Sequence, residues 1–169
     1  IRAMRRREML LGSAALVSLS GCALDSKFKK YDGPEVTFVV VNKGQRRMHL
    51  LHNETLLESY DIKLGFAPVG HKQFEGDGKT PEGLYRIDRR NPDSDFHLSL
   101  GISYPNTKDY AAAKAQGKSP GGDIFIHGQK SPSENPDDDW TWGCIAVSND
   151  EMEDVYAMVR NGTLIKLNA

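Results

Sequence analysis

The chain predicts a mainly-β domain with one or two short helices, and three observations carry that expectation. Short β-branched and aromatic runs recur from residue 36 to 168, Gly, Pro and Asn punctuate them, and only two stretches carry a helical pattern. The 169 residues suit one domain of the usual length of about 100 to 200 residues. Hydrophobic residues at 38% and charged residues at 27% give a globular composition, with neither the polarity of a disordered chain nor the apolar runs of an integral membrane protein.

Val36-Thr37-Phe38-Val39-Val40-Val41 opens the domain as a strand, and Asn42-Lys43-Gly44 turns the chain. Residues 47–51 form a second strand, His52-Asn53-Glu54 a second reversal, and residues 55–64 complete an antiparallel meander ended by Gly65 and Pro68. Residues 70–83 form a structured loop around Gly76-Asp77-Gly78-Lys79-Thr80-Pro81. Residues 84–88 and 96–103 are strands separated by the Asn91-Pro92-Asp93 turn. Residues 109–116 are alanine-rich and read as a short helix stopped by Gly117 and Pro120. Asp123-Ile124-Phe125-Ile126 is a buried strand that delivers His127, and a polar loop over 129–139 follows. Ser148 and Glu151 form a capping box for a helix that carries Met152, Val155, Tyr156 and Val159 on one face. Asn161-Gly162 ends it and residues 164–167 are the last strand.

The N-terminus reads as an export address. Arg5-Arg6-Arg7 precedes an apolar run over 9–19, too short for a bilayer core that takes about 20 residues. Leu19-Ser20-Gly21-Cys22 then resembles a bacterial lipobox, which implies a lipoprotein-type signal peptide over 1–21 and lipidation at Cys22. Residues 22–35, polar and carrying Gly33-Pro34, read as a tether, and residues 36–168 as the domain. Ala23 after Cys22, by resemblance to known lipoproteins, favours an outer-membrane anchor facing the periplasm. Net charge is −1, of which the first 21 residues hold +3, leaving −4 on the remainder. A mildly acidic body without a basic stripe excludes the nucleic-acid-binding class.

Only Cys22 and Cys144 are present. With Cys22 acylated, Cys144 has no disulfide partner in a compartment where disulfides persist, which reads either as a working thiol or as an inert buried one. His127 lies 17 residues upstream of Cys144 and is the natural base for it, since the thiolate attacks carbonyl carbon. Gly128 allows a tight exit after the histidine, and Gly143 lets backbone N–H groups approach an oxyanion.

Ile126-His127-Gly128 followed by Thr141-Trp142-Gly143-Cys144-Ile145 is similar to the motifs of the L,D-transpeptidase catalytic domain (YkuD) family. Gly65, Lys72, Gly76-Asp77 and Thr80-Pro81-Glu82-Gly83 resemble its upstream region in the same order. The resemblance implies a β-sandwich-like domain in which Cys144 attacks a peptide carbonyl of peptidoglycan stem peptides and forms a thioester, with His127 moving the proton and no metal or cofactor. An amine acceptor then gives a cross-link and water gives hydrolysis, in cell wall biogenesis or remodelling. Two positions depart from the family pattern: Trp142 replaces a histidine and Ala146 an arginine, which brings the chain closer to the YafK-like subgroup. That subgroup makes an L,D-carboxypeptidase, or an amidase releasing peptidoglycan-linked protein, a rival to transpeptidation. A non-catalytic peptidoglycan-binding lipoprotein is the reading from another class, opposed by retention of both His127 and Cys144. A papain-like protease has its cysteine before its histidine, the reverse of this order.

Candidates for substrate contact are Trp142, Tyr104, His97 and Lys72, although Lys72 and Asp77 read in the first place as organisers of their glycine-rich loop. Glu134, Asp137, Asp138 and Asp139 read as a solvated loop. The remaining histidines lack ligand-like spacing, so no metal is expected.

Overall fold

The computed structural model describes residues 26–131 and 138–169. Cys22, the proposed signal peptide, Glu134 and Asp137 lie outside the described residues.

Eight strands form one curled sheet in the order β3-β2-β1-β8-β4-β5-β6-β7. The first three, β1 (Phe38–Asn42), β2 (Arg47–His52) and β3 (Thr55–Asp61), are the expected antiparallel meander. Val39 and Val41 on β1 and Met48 and Leu50 on β2 alternate inward, because successive side chains of a strand point to opposite faces. The last strand, β8 (Leu164–Asn168), returns to lie parallel to β1 and antiparallel to β4 (Gly83–Asn91). It joins the two halves of the sheet.

On the far side, β5 (Ser99–Ile102) is buried at all four positions and pairs with β4 and with β6 (Phe125–His127). The last neighbour, β7 (Ile145–Ala146), pairs with β6 in parallel. It is two residues long and was not among the expected strands; so short a run carries no alternation to read. The sheet curls until the segment leaving β3 meets this edge, through the bridges Lys63 to Ala146 and Gly65 to Thr141.

Two short helices complete the domain. The first, α1 (Thr107–Ala115), starts two residues earlier than expected because Asn106 caps it and Asp109 closes a capping box. The second, α2 (Asn149–Met158), has the expected Ser148–Glu151 box and buries Met152 and Val155 against the sheet. Each such side chain contributes about 1.5 to 3 kcal/mol of burial.

From residue 26 on, the segment read as a tether lies against the domain. Lys29 pairs with Asp150 and Asp154 at 2.9 Å each, and the Phe28 ring meets Tyr156 at 6.3 Å. No helix among the described residues is long and apolar enough to cross a membrane.

Candidate active site

The parallel pairing of β6 with β7 sets Ile126 opposite Ile145 and His127 opposite Ala146. Partners in such a pair share a face and side chains alternate along each strand, so Phe125, His127 and Cys144 project to one side. All three line a cleft of about 350 Å³, together with Ser94, Phe96, Ser99, Asp123, Trp140, Thr141 and Trp142. Chain separation between histidine and cysteine is thus closed by two neighbouring strand ends.

His127 is 4% exposed. Its Nδ1 lies 2.6 Å from the Gly128 carbonyl oxygen. A carbonyl only accepts, so Nδ1 carries the proton and Nε2 is left as the basic nitrogen. The ring packs against Phe96, with centroids 4.5 Å apart, and edge-on against Trp140 at 5.6 Å, and since Phe96 and Trp140 are themselves 5.9 Å apart the three rings form a triangular cluster. Gly128 has no room for a side chain: a Cβ there would lie 2.4 Å from Asn149 Oδ1 and 3.0 Å from the Phe96 carbonyl.

The Cys144 sulfur accepts from the Phe125 N–H at 3.4 Å and donates to the Asp123 carbonyl at 3.5 Å. Burial pushes the thiol pKa up, against the lowering effects of the Phe125 N–H and the Lys72 charge. Burial thus favours the protonated, thiol form of the sulfur.

Thr141 organises the loop that holds it. Its hydroxyl donates to the Cys144 carbonyl at 2.7 Å and accepts from the Gly143 N–H at 3.1 Å. The Gly143 N–H is thereby engaged, whereas the Cys144 N–H has no protein acceptor among the described residues. Gly143 itself sits at φ +130, with the Lys79 carbonyl 2.6 Å from where a Cβ would stand. The loop around Gly78 and Thr80 thus floors the cysteine turn.

Trp142 is 71% exposed and packs edge-on against Phe66 at 5.0 Å, forming an outer wall. Lys72, His97 and Tyr104 do not line the cleft, because each is held elsewhere. Lys72 is buried against Asp77 at 2.9 Å, and Asp77 also takes the N–H groups of Gln73, Phe74 and Lys79, so the pair organises its loop. His97 Nε2 lies 2.8 Å from Glu153, and the Tyr104 hydroxyl donates to the Pro120 carbonyl at 3.0 Å. Asp139, expected on a solvated loop, instead receives Arg46 through two guanidinium nitrogens and the Leu64 N–H at 2.8 Å. Ala146 is buried and exchanges backbone hydrogen bonds with Lys63, so no charge reaches the cleft from that position. Among the described residues, no group of three or more His, Cys, Asp or Glu side chains could hold a metal ion.

The sequence offers Trp140 with Trp142 as a substrate wall and the stretch from Phe96 to Ser99 as a contributor to the cleft, and Phe96, Ser99, Trp140 and Trp142 all line it. Sequence reasoning passed over Thr141 and Asp123 as site residues; Thr141 stood inside the quoted motif and had a readable signal, whereas Asp123 is brought in by the pairing of distant strands.

The family described as L,D-transpeptidase catalytic domain (YkuD) matches residues 36–167. YafK of Escherichia coli strain K12, provisionally named an L,D-transpeptidase, is 28% identical over 162 residues, covering 92% of this chain and 58% of the relative. The chain therefore spans little more than half the length of that relative. Among solved structures, the helical cell shape determining protein Pgp2 from Campylobacter jejuni is 29% identical with a TM-score of 0.62, over 82% of this chain and 49% of that one. Mycobacterium tuberculosis L,D-transpeptidase 1, at 12% identity and TM-score 0.52 over 80% and 62% of the two chains, shares the fold.

Proposed function

Since the chain belongs to the L,D-transpeptidase catalytic domain (YkuD) family, we propose that it modifies peptidoglycan stem peptides through a thioester on Cys144, with His127 as proton shuttle. The observation that supports this most is the shared face of β6 and β7. It turns a half-buried thiol and a histidine with a fixed tautomer into one cleft.

In this reading His127 Nε2 takes the Cys144 proton as the sulfur attacks the stem carbonyl carbon. The oxyanion that forms receives the Cys144 N–H, a donor of the kind whose loss costs about 3 to 4 kcal/mol in transition-state stabilisation. Imidazolium protonates the departing amine as the carbon–nitrogen bond breaks, leaving the thioester. An amine or water then adds to the thioester carbon, gives its proton to His127 and expels the sulfur. An amine yields a new peptide bond and water a trimmed or released stem.

Hydrolysis is the second outcome we carry, because Ala146 supplies no cation for a carboxylate-bearing acceptor where the family pattern has arginine. We place the protein at the bacterial cell envelope, with a signal peptide over 1–21, lipidation at Cys22 and a role in cell wall shape, the last by likeness to Pgp2.

The test is incubation of the protein with purified peptidoglycan, with and without an amine acceptor, and mass spectrometry of the stems. Cross-linked, trimmed or released peptides are expected with wild type and are lost with Cys144→Ala. Unchanged stems with wild type, or full turnover by Cys144→Ala, would sink the reading.

A further inference from the structure

We infer that Lys27 is a positioning residue for His127: its ammonium ties together the two ends of the loop that lays Phe96 on the imidazole. The inference rests on the catalytic pairing of His127 with Cys144 and extends it to a segment N-terminal to residues 36–167, the part matched by the family.

Lys27 Nζ donates to the Pro92 carbonyl at 2.6 Å and to the His97 carbonyl at 3.0 Å. An ammonium has three donors and no acceptor, so one side chain can clamp both carbonyls at once. Between those two points the chain supplies Ser94, Asp95 and Phe96 to the cleft wall. His97 sits at φ +73, a conformation that an L residue adopts only when its surroundings hold it there. On the other side of the clamp, the Phe96 ring lies 4.5 Å from that of His127 and its carbonyl accepts the Gly128 N–H at 3.1 Å. The ring and the carbonyl thus reach the histidine and the residue whose own carbonyl fixes the histidine tautomer.

The clamp has a firm footing of its own. Lys29, two residues on, is fixed to Asp150 and Asp154 on α2, and His97 reaches Glu153 of the same helix. Strap, loop and helix therefore close a ring behind the wall of the cleft. Neutralising Lys27 leaves two carbonyls without their donor and frees the loop to move Phe96 off the imidazole, and small misplacements of a catalytic group lower turnover steeply.

The experiment uses the full chain and compares wild type with Lys27→Met, Lys27→Arg and His127→Gln. Two readouts are taken: the pH profile of Cys144 alkylation by iodoacetamide, and kcat and KM on peptidoglycan stems. Lys27→Met is expected to displace the alkylation profile in the same direction as His127→Gln and to lower kcat about tenfold with a smaller change in KM. Lys27→Arg, which keeps the charge and several donors, is expected to restore both toward wild type. A Lys27→Met profile superimposable on wild type overturns the inference, including where that variant merely melts at a lower temperature. If His127→Gln also leaves the profile unmoved, the catalytic pairing itself falls and this inference falls with it; a shift in His127→Gln alone refutes only the role of Lys27.

Discussion

Thr141 and Cys144 are joined by a 2.7 Å hydrogen bond from the threonine hydroxyl to the cysteine carbonyl, and the same hydroxyl accepts the Gly143 N–H. One buried side chain thus holds both ends of the turn that presents the sulfur. Thr141→Val keeps the shape and removes the oxygen, leaving a carbonyl and an N–H unpaired. It is expected to cost about 1 to 3 kcal/mol, to lower the melting temperature by several degrees, and to reduce kcat more than it raises KM. Thr141→Ser, which keeps the hydroxyl, should stay near wild type. Thermal melting and turnover measured side by side decide it, and a fully active Thr141→Val protein would remove Thr141 from the mechanism.

At Gly143 the constraint is backbone geometry. With φ at +130 and the Lys79 carbonyl 2.6 Å from a Cβ position, an alanine must displace main chain on one side or the other. Gly143→Ala is expected to lower kcat about a hundredfold, since roughly 1 Å of misplacement has that effect, while the folded protein remains measurable by circular dichroism. Activity within twofold of wild type would mean that the loop tolerates the shift.

The Cys144 thiol has its pKa raised, chiefly by burial. Between the ordinary thiol value and the raised one, the folded state keeps a proton that the unfolded state releases. Unfolding is therefore favoured progressively as pH rises through that window, and the stabilising contribution lies below it. Wild type should lose stability relative to Cys144→Ala as pH climbs from about 8 to 10, measured by urea unfolding at each pH. Parallel curves for the two proteins would show that burial does not hold the proton on the sulfur.

Much of the fold was legible because its signals are local. Turn residues after Val41 and at Asn53 marked the meander, and the Ser148–Glu151 box marked α2, each within about five residues of chain. The two-residue β7 carried no such signal, since its strand character comes only from the partner it meets. The candidate pair was legible through its motif, yet the motif was silent on what surrounds it. Asp139 reads as one more charge in an acidic run, and only the fold brings Arg46 and the Leu64 N–H to it. Lys72 reads both as an organiser of its loop and as a candidate substrate contact, and burial beside Asp77 decides for the first.

The family, the mainly-β class and the two residues on which the proposed chemistry turns can be read along the chain, because they are written in contiguous motifs and in period-two patterns. Which face the two residues share, which nitrogen of His127 carries the proton, and where Lys27 and Lys29 make their contacts emerge only once the chain is folded. Those are matters of strand register and of contacts between residues tens of positions apart, and a one-residue slip in pairing β6 with β7 would send His127 and Cys144 to opposite faces.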